Sequence, residues 1–351
     1  MRVLLLSPLP PPSGGIARWT ERYLEWCNGK HDVAVVNTAL QGERAGEAGK
    51  QRKLTDEIKR ALYVIRETNK GLKRKTDIVH INTSCSRFGI LRDWICLELA
   101  HKKKVSVIVH CHCNIEDQLG TGKMATKLFS DMVNKSEKVL VLNSSSKNYV
   151  EKINSGKADL CPNFVLTNQI SDYHKIRDRI EKVIYVGDVR LSKGSDDFYL
   201  LAKQNPEVKF IVVGSVTEEI AQLDKPKNVE TLGRLEASDV EKQLNEADVF
   251  VFPSLTEGFS NAMLEAMAHG LPIIATDVGA ATDMIENCGG TVVSIHDVSA
   301  MQSALNNMNK PETRKAMSEW NITKVKQCYE YNQVIEKLFH VYEEAKFETN
   351  Q

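Results

Sequence analysis

The 351-residue chain lacks most of the short signatures that would place it at once. Its eight cysteines (27, 85, 96, 111, 113, 161, 288 and 328) include no Cys-x-x-Cys pair. Neither a disulfide framework nor a zinc-ribbon spacing is therefore legible, and the thiols are expected to be reduced core residues of a cytoplasmic protein. No Gly-x-Gly-x-x-Gly occurs, which argues against a dinucleotide cofactor. No Asp-x-Asp occurs either. No apolar run approaches membrane-spanning length, and Val3–Leu6, cut off by Pro8, is too short for a signal peptide. Repeats and low-complexity tracts are missing. Net charge is zero, and no nucleic-acid partner is expected.

What is present is a chain long enough for two domains of ordinary globular composition. Its charge is unevenly placed. Residues 1–165 carry 27 Lys and Arg against 17 Asp and Glu, and the remainder 19 against 29, so the halves are about +10 and −10. A basic first half suits an anionic surface or ligand, and chance distribution explains it equally well.

Apolar strand-like runs alternate with helical patterns along the whole chain, which predicts α/β architecture with doubly wound parallel sheets. In the first half, strands are expected at 2–7, 33–37, 77–82, 105–110 and 138–143. A helix over 54–70 places Leu54, Ile58, Ala61, Leu62 and Ile65 on one face. Its flanks are basic, with Lys50, Arg52, Lys53, Lys59, Arg60, Arg66, Lys70, Lys73, Arg74 and Lys75. Such a helix either packs on the core with a solvated outer face or lies on an anionic membrane surface. The expected divisions are an N-terminal domain over 1–165, a polar linker over 166–182 and a C-terminal domain over 183–324. A last helix over 325–347 is expected to return to the first domain.

One stretch organises the second half. Val249–Phe252 reads as a strand, Pro253–Gly258 as a loop, Phe259–His269 as a helix and Leu271–Ala275 as the next strand. Gly270 stands where a left-handed residue closes a helix. Ligands of such βαβ units bind outside the carboxyl ends of the strands, here around Glu257. A helix start offers unpaired amides and partial positive charge, which suits a diphosphate on the amides of Phe259, Ser260, Asn261, Ala262 and Met263. Carboxylates such as Glu257 and Glu265 accept hydrogen bonds from paired sugar hydroxyls. Arg190 and Lys193, in another loop after a strand, supply cations for the same diphosphate.

Two further places carry polar groups. Gly14-Gly15 opens a helix and allows close approach of an anion or sugar, although a Gly pair is more often only a turn. His110-Cys111-His112-Cys113 ends a strand. Successive side chains of an extended segment point to opposite faces, so the four do not converge on a metal. The two histidines instead share one face and are candidates for a polar site.

The segment Pro253–Gly279 closely resembles the E-x7-E signature of the family-four retaining glycosyltransferases. The resemblance extends over nearly the whole chain: Gly14-Gly15, His110-Cys111-His112, Pro162-Asn163, Gly187 with Lys193-Gly194, Gly233, Thr256-Glu257-Gly258 and Leu264-Glu265-Ala266 all match family features. It implies the GT-B architecture, two facing Rossmann-like domains with a nucleotide-sugar donor in the second. It implies that Glu257 holds the donor sugar hydroxyls, that Glu265 holds the ribose, and that Lys193 neutralises the diphosphate. His112 or His110 would contact the sugar near the reaction centre, and Gly15, Gly233 and Gly258 would line the donor. Asp188 departs from the pattern, since an Arg often stands there; Arg190 is the substitute. The implied reaction is retaining hexosyl transfer from an NDP-sugar to an acceptor hydroxyl, without metal or other cofactor. The acceptor implied is a saccharide, polyprenyl-diphosphate-linked as in bacterial surface-polysaccharide pathways. Alternatives are a catalytically inactive sugar-nucleotide-binding scaffold and a sugar-nucleotide epimerase of the same fold.

Overall fold

The computed structural model describes residues 1–11, 14–39 and 54–348. It divides into two units, Met1–Asn163 with the chain from Val334 onward, and Phe164–Gln333.

The first unit is a six-stranded parallel sheet with helices between the strands. In chain order the elements are β1 (Arg2–Ser7), α1 (Gly15–Cys27), β2 (Asp32–Asn37), α2 (Leu54–Gly71), β3 (Ile78–Thr83), α3 (Arg87–Lys102), β4 (Ser106–Cys111), α4 (Ile115–Leu119), α5 (Lys123–Lys135), β5 (Lys138–Val141), α6 (Ser144–Ile153) and β6 (Ala158–Leu160). The sheet order is β2-β1-β3-β4-β5-β6. Every pairing is parallel, with Leu5 opposite His80 and Asn82 opposite His110. Strands covered on both faces are apolar throughout, as in Val3–Leu6 and Val107–Val109. One face, with Leu4, Leu6, Val79, Ile81, Val107, Val109 and Cys111, packs with Val64, Leu97, Phe129 and Met132 from the helices. On the other face stand the alternate residues, among them His80 and His110, in ring contact with Trp19 of α1.

The sequence missed β6, a three-residue strand with Asp159 at its centre, and the short α4. Of the two readings of α2, core packing of the apolar strip fails for three of its residues, while Ile65 packs against the core. Leu54, Ile58 and Leu62 are 55%, 51% and 63% exposed, and the residues buried are Val64 and Thr68. The buried strip is rotated roughly a quarter turn from the expected one. Both strips carry apolar residues, so periodicity alone does not separate them. Lys50, Arg52 and Lys53 lie outside the described residues.

The second unit comprises β7 (Lys182–Val186), α7 (Ser195–Gln204), β8 (Lys209–Val213), α8 (Glu218–Ala221), β9 (Val229–Gly233), α9 (Ala237–Glu246), β10 (Val249–Phe252), α10 (Asn261–Ala268), β11 (Ile273–Thr276), α11 (Ala281–Ile285), β12 (Gly290–Val293), α12 (Val298–Asn307) and α13 (Pro311–Cys328). Its sheet order is β12-β11-β10-β7-β8-β9, again all parallel. Read from β9, this is the 3-2-1-4-5-6 order of dinucleotide-binding folds. Its switch point lies between β7 and β10.

Of residues 166–182, read as a linker, Lys182 opens β7 and the rest pack on this unit. Ser171 donates its amide to the Ala268 carbonyl at 2.9 Å, and His174 meets the Ala247 carbonyl at 2.9 Å. The buried Asp248 carboxylate accepts the amides of Glu181 and Lys182 and the Arg177 guanidinium. The final helix, α14 (Tyr331–Glu348), begins six residues later than expected. Tyr329 and Glu330 break the run, because Val165 pairs with Glu330 in a parallel bridge. No breaker residue marks that point in the sequence.

Candidate functional site

The loop after β7 and the loop after β10 meet at the switch point. Two glycines make the meeting possible. Gly194 has φ +65°, and a Cβ there would stand 1.8 Å from the Pro253 carbonyl oxygen. Gly279 has φ +56°, and its Cβ would stand 2.5 Å from the Glu257 carbonyl oxygen and 2.7 Å from that of Gly258. Backbone therefore lies against backbone on both sides of the Glu257 loop, which only glycine permits. The Leu255 amide donates to the Ser192 carbonyl at 3.2 Å and ties the two loops together.

This arrangement brings Lys193 and Glu257 into contact. The Lys193 ammonium donates to Glu257 Oε1, and both side chains are mostly buried. Ser254, fully buried, adds a long hydroxyl contact to the same oxygen at 3.4 Å and one to the Thr256 carbonyl at 3.2 Å. Thr276, also fully buried at the end of β11, donates to the Ser254 carbonyl. Neither Ser254 nor Thr276 stood out in the sequence; a buried polar residue at a strand's carboxyl end was the available signal.

The helix α10 leaves this loop. Ser260 is its N-cap and accepts the Met263 amide at 3.2 Å. That amide, expected among the phosphate donors, is thus occupied by the cap. Phe259 is buried, in edge contact with Tyr329. Asn261, Ala262 and Glu265 are the partly exposed positions of α10, and Met263, Leu264 and Ala266–Ala268 are buried. Asn261 and Glu265 share a strip one turn apart, about 6 Å along the axis. The far end closes as expected: Leu271 donates to the Ala266 carbonyl at 3.0 Å and Gly270, at φ +73°, to that of Met267 at 2.9 Å. These are the two bonds of a Schellman cap.

The other cations sit at the rim. Arg190 is exposed and forms no ion pair among the described residues. Asp188 is held by Arg234, which follows Gly233 (φ +71°), at 3.7 Å, and Arg234 also donates to Ser215 Oγ at 2.5 Å. Arg234 thus stands beside the carboxylate that departs from the family pattern; the sequence reading passed over it. Both partners are largely exposed, so the pair itself adds little to stability. Among the described residues, one group of three is spaced to hold a metal ion: Asp196, Asp197 and His296, where His296 Nδ1 lies 2.9 Å from Asp197.

In the first unit a second polar group occupies the carboxyl ends of β1, β3 and β4. His110 and His112 share a face, with rings 4.0 Å apart, and Trp19 packs against both and against His80. Cys111 and Cys113 point the other way into the apolar core with Cys85. The split predicted from strand alternation is present, and all eight thiols are free. The two histidines are not equivalent. His110 is fully buried, with Nε2 3.3 Å from the Cys161 carbonyl, and burial pushes its pKa down to about 3. His112 keeps partial exposure and binds Asn82 Oδ1 through Nε2 at 3.1 Å. Burial, then the neighbouring His110 and His80, hold it well below the usual imidazole range. Of the pair, the one open to a ligand is His112. Gly15 is exposed at the start of α1, and Gly14 is extended with nothing within 4 Å of an added Cβ, so the fold itself does not demand glycine at 14. Pro12 and Ser13 lie outside the described residues.

Two α/β units, each with a polar group at the carboxyl edge of a parallel sheet, define the GT-B class. Residues 181–310, within the second unit, match the family described as "Glycosyl transferases group 1". The chain is 26% identical over 243 residues to an uncharacterized 41.2 kDa protein of the cps region of Klebsiella pneumoniae, covering 64% of this chain and 66% of that protein. It is 28% identical over 172 residues to the capsular polysaccharide biosynthesis glycosyltransferase CapM of Staphylococcus aureus, covering 46% and 43%. The chain thus spans less than two thirds of either relative. The structure of HepE from Anabaena in complex with UDP superposes with a TM-score of 0.76 over 98% of this chain and 100% of that one, at 13% identity, which shows the shared fold.

Proposed function

We propose that the protein is a retaining glycosyltransferase that moves a hexosyl group from an NDP-sugar to a saccharide hydroxyl in surface-polysaccharide or lipid-linked glycan synthesis. The observation that carries this reading is the Lys193–Glu257 pair at the β7/β10 switch point, the place where such sheets bind nucleotides. Each member offers what a nucleotide sugar needs. The ammonium suits a diphosphate, and the carboxylate suits sugar hydroxyls. In the structure the two neutralise each other. Donor binding exchanges this contact for two: diphosphate on Lys193 with Arg190 alongside, hydroxyls on Glu257. Charge then grows on the departing diphosphate, and a cation fixed by Gly194 and the 3-10 turn before it stabilises that charge without reorganising. Glu265, on the exposed strip of α10, takes the ribose. Partners named in support are the UDP of HepE and the capsular assignment of CapM.

The chemistry needs no metal in this reading, since the cations are protein groups. Adding EDTA to a transfer assay leaves the rate unchanged if that is right, and abolishes it if a metal holds the diphosphate. The acceptor is a polyprenyl-diphosphate-linked saccharide at a membrane face. No described helix is long and apolar enough to cross a membrane. Leu54, Ile58 and Leu62 instead form an exposed aliphatic line on α2, beside the exposed Lys59, Arg66, Lys70, Lys73 and Arg74. That combination fits an interfacial helix. Liposomes containing anionic lipid should sediment the protein, and a Leu54→Ser, Ile58→Ser, Leu62→Ser variant should stay in solution. Equal behaviour of the two sinks the membrane part alone.

The test of the function itself is nucleoside-diphosphate release from UDP- and GDP-hexoses with and without acceptor. Release by the wild type that disappears in Glu257→Gln supports transfer. Tight binding without turnover across the panel supports the inactive scaffold instead.

A further inference from the structure

His112 lies at the end of a chain of buried polar side chains whose direction can be read from the atoms. His112 Nε2 is 3.1 Å from Asn82 Oδ1. Asn82 Nδ2 donates to Ser7 Oγ at 2.8 Å. Ser7 Oγ is 2.6 Å from Thr20 Oγ1. Thr20 Oγ1 donates to the Ile16 carbonyl at 2.8 Å. Ser7 and Thr20 are fully buried and Asn82 nearly so.

Each hydroxyl has one proton, and a carbonyl oxygen only accepts. Thr20 spends its proton on Ile16, so Ser7 must donate to Thr20. Ser7 then has only lone pairs for Asn82, which must turn its NH2 toward Ser7 and its oxygen toward His112. His112 must donate from Nε2. Run in the opposite direction, Thr20 would give its proton to Ser7 and the Ile16 bond would be lost. A buried bond removed without a substitute is costly, so the first direction wins.

We infer that Thr20, Ser7 and Asn82 are positioning residues that fix His112 as the Nε2–H tautomer, so that its Nδ1 is an unprotonated hydrogen-bond acceptor. No hydrogen bond to Nδ1 is present among the described residues, where His112 is partly exposed. The ring is thereby built to accept from a substrate hydroxyl and not to donate to a phosphate oxygen. Its burial among two other neutral rings agrees with this, since the charged form is disfavoured there. The assignment of a sugar hydroxyl as the ligand rests on the glycosyl-transfer reading; the tautomer does not.

The terminus that sets the direction is the Thr20–Ile16 bond, and this makes Thr20 the residue to change. Without its hydroxyl, Ser7 is free to donate to Asn82, the amide can turn over, and the opposite tautomer becomes available to His112. The experiment is a long-range 1H–15N spectrum of the imidazoles of the full chain near neutral pH, without ligand, with His112→Gln to assign the ring. The wild type should show His112 with Nε2 protonated and Nδ1 bare. Thr20→Val should give a mixture of tautomers, and Thr20→Ser should restore the single form. An Nδ1–H or doubly protonated His112 in the wild type overturns the inference, as does a Thr20→Val spectrum identical to wild type. Where transfer is measured, Thr20→Val should lower kcat by about tenfold, the worth of one hydrogen bond, with Thr20→Ser near wild type. A correct spectrum with no turnover on any nucleotide sugar counts against the transferase reading and leaves the tautomer assignment standing.

Discussion

At the scale of single residues the account rests on two kinds of neutralised group. Lys193 and Glu257 neutralise each other by contact, and the histidines are neutral because they are buried. The first predicts a functional asymmetry. Lys193→Ala should cost the chemical step about 100-fold or more, as loss of one preorganised charge stabiliser does. Its melting temperature should fall as well, because the mostly buried Glu257 carboxylate is left without its partner, but by less than the loss in rate implies. Equal losses in rate and stability would mean that the lysine is only a brace. The second kind predicts acid sensitivity. His110 has a folded pKa of about 3 against an unfolded value near 6.5. The unfolded chain therefore binds a proton that the folded one refuses, and stability falls as pH drops from about 6.5 toward 3. Between pH 7.5 and 5 this single group should remove about 2 kcal/mol. Urea midpoints of wild type and His110→Asn across that window check it: the variant should show a flatter dependence. Both groups were legible in the sequence by type. Their inequality was not, because only the fold shows that His110 sits beneath His112 with its proton on the Cys161 carbonyl.

At the scale of elements, the determinants are where loops cross. Strand alternation and the Gly270 cap were readable, because strand period and helix-end chemistry are local properties. The loop crossings were not, because Gly194 and Gly279 are required by contacts with carbonyls 59 and 22 residues away in sequence. The same holds for α2, whose buried face is decided by α3 and not by its own apolar pattern. Likewise the break at Tyr329–Glu330 is made by a bridge to Val165. Gly279→Ala places a Cβ against two carbonyl oxygens at positive φ and should cost about 1–3 kcal/mol. Its larger effect should be on catalysis, through displacement of Glu257. A Gly279→Ala protein with full activity at a lowered melting temperature would show that the loop tolerates movement. Ser260→Ala removes the α10 cap and should cost about 1 kcal/mol in a denaturant titration.

At the scale of the molecule, two parallel sheets of different strand order reach a similar arrangement. Each collects polar side chains at its carboxyl edge beside its switch point: Ser7, Asn82 and His112 on one, Lys193 and Glu257 on the other. Topology explains why residues so distant in sequence converge, since the crevice forms wherever successive connections depart to opposite sides. The alternation of strands and helices was enough to predict this architecture. The strand order came from the structure, and it is the order that makes Lys193 and Glu257 neighbours. The central claim is that this pair is a nucleotide-diphosphate site. The most direct measurement is a thermal-shift comparison of wild type and Lys193→Ala with UDP, GDP and the bare nucleosides. At saturating concentration, about 100 times Kd, a specific ligand should stabilise the protein by about 2.7 kcal/mol. The account predicts that at least one nucleoside diphosphate raises the wild-type melting temperature, that uridine and guanosine do much less, and that Lys193→Ala loses the diphosphate effect. A shift retained in Lys193→Ala, or none from either diphosphate, would contradict it.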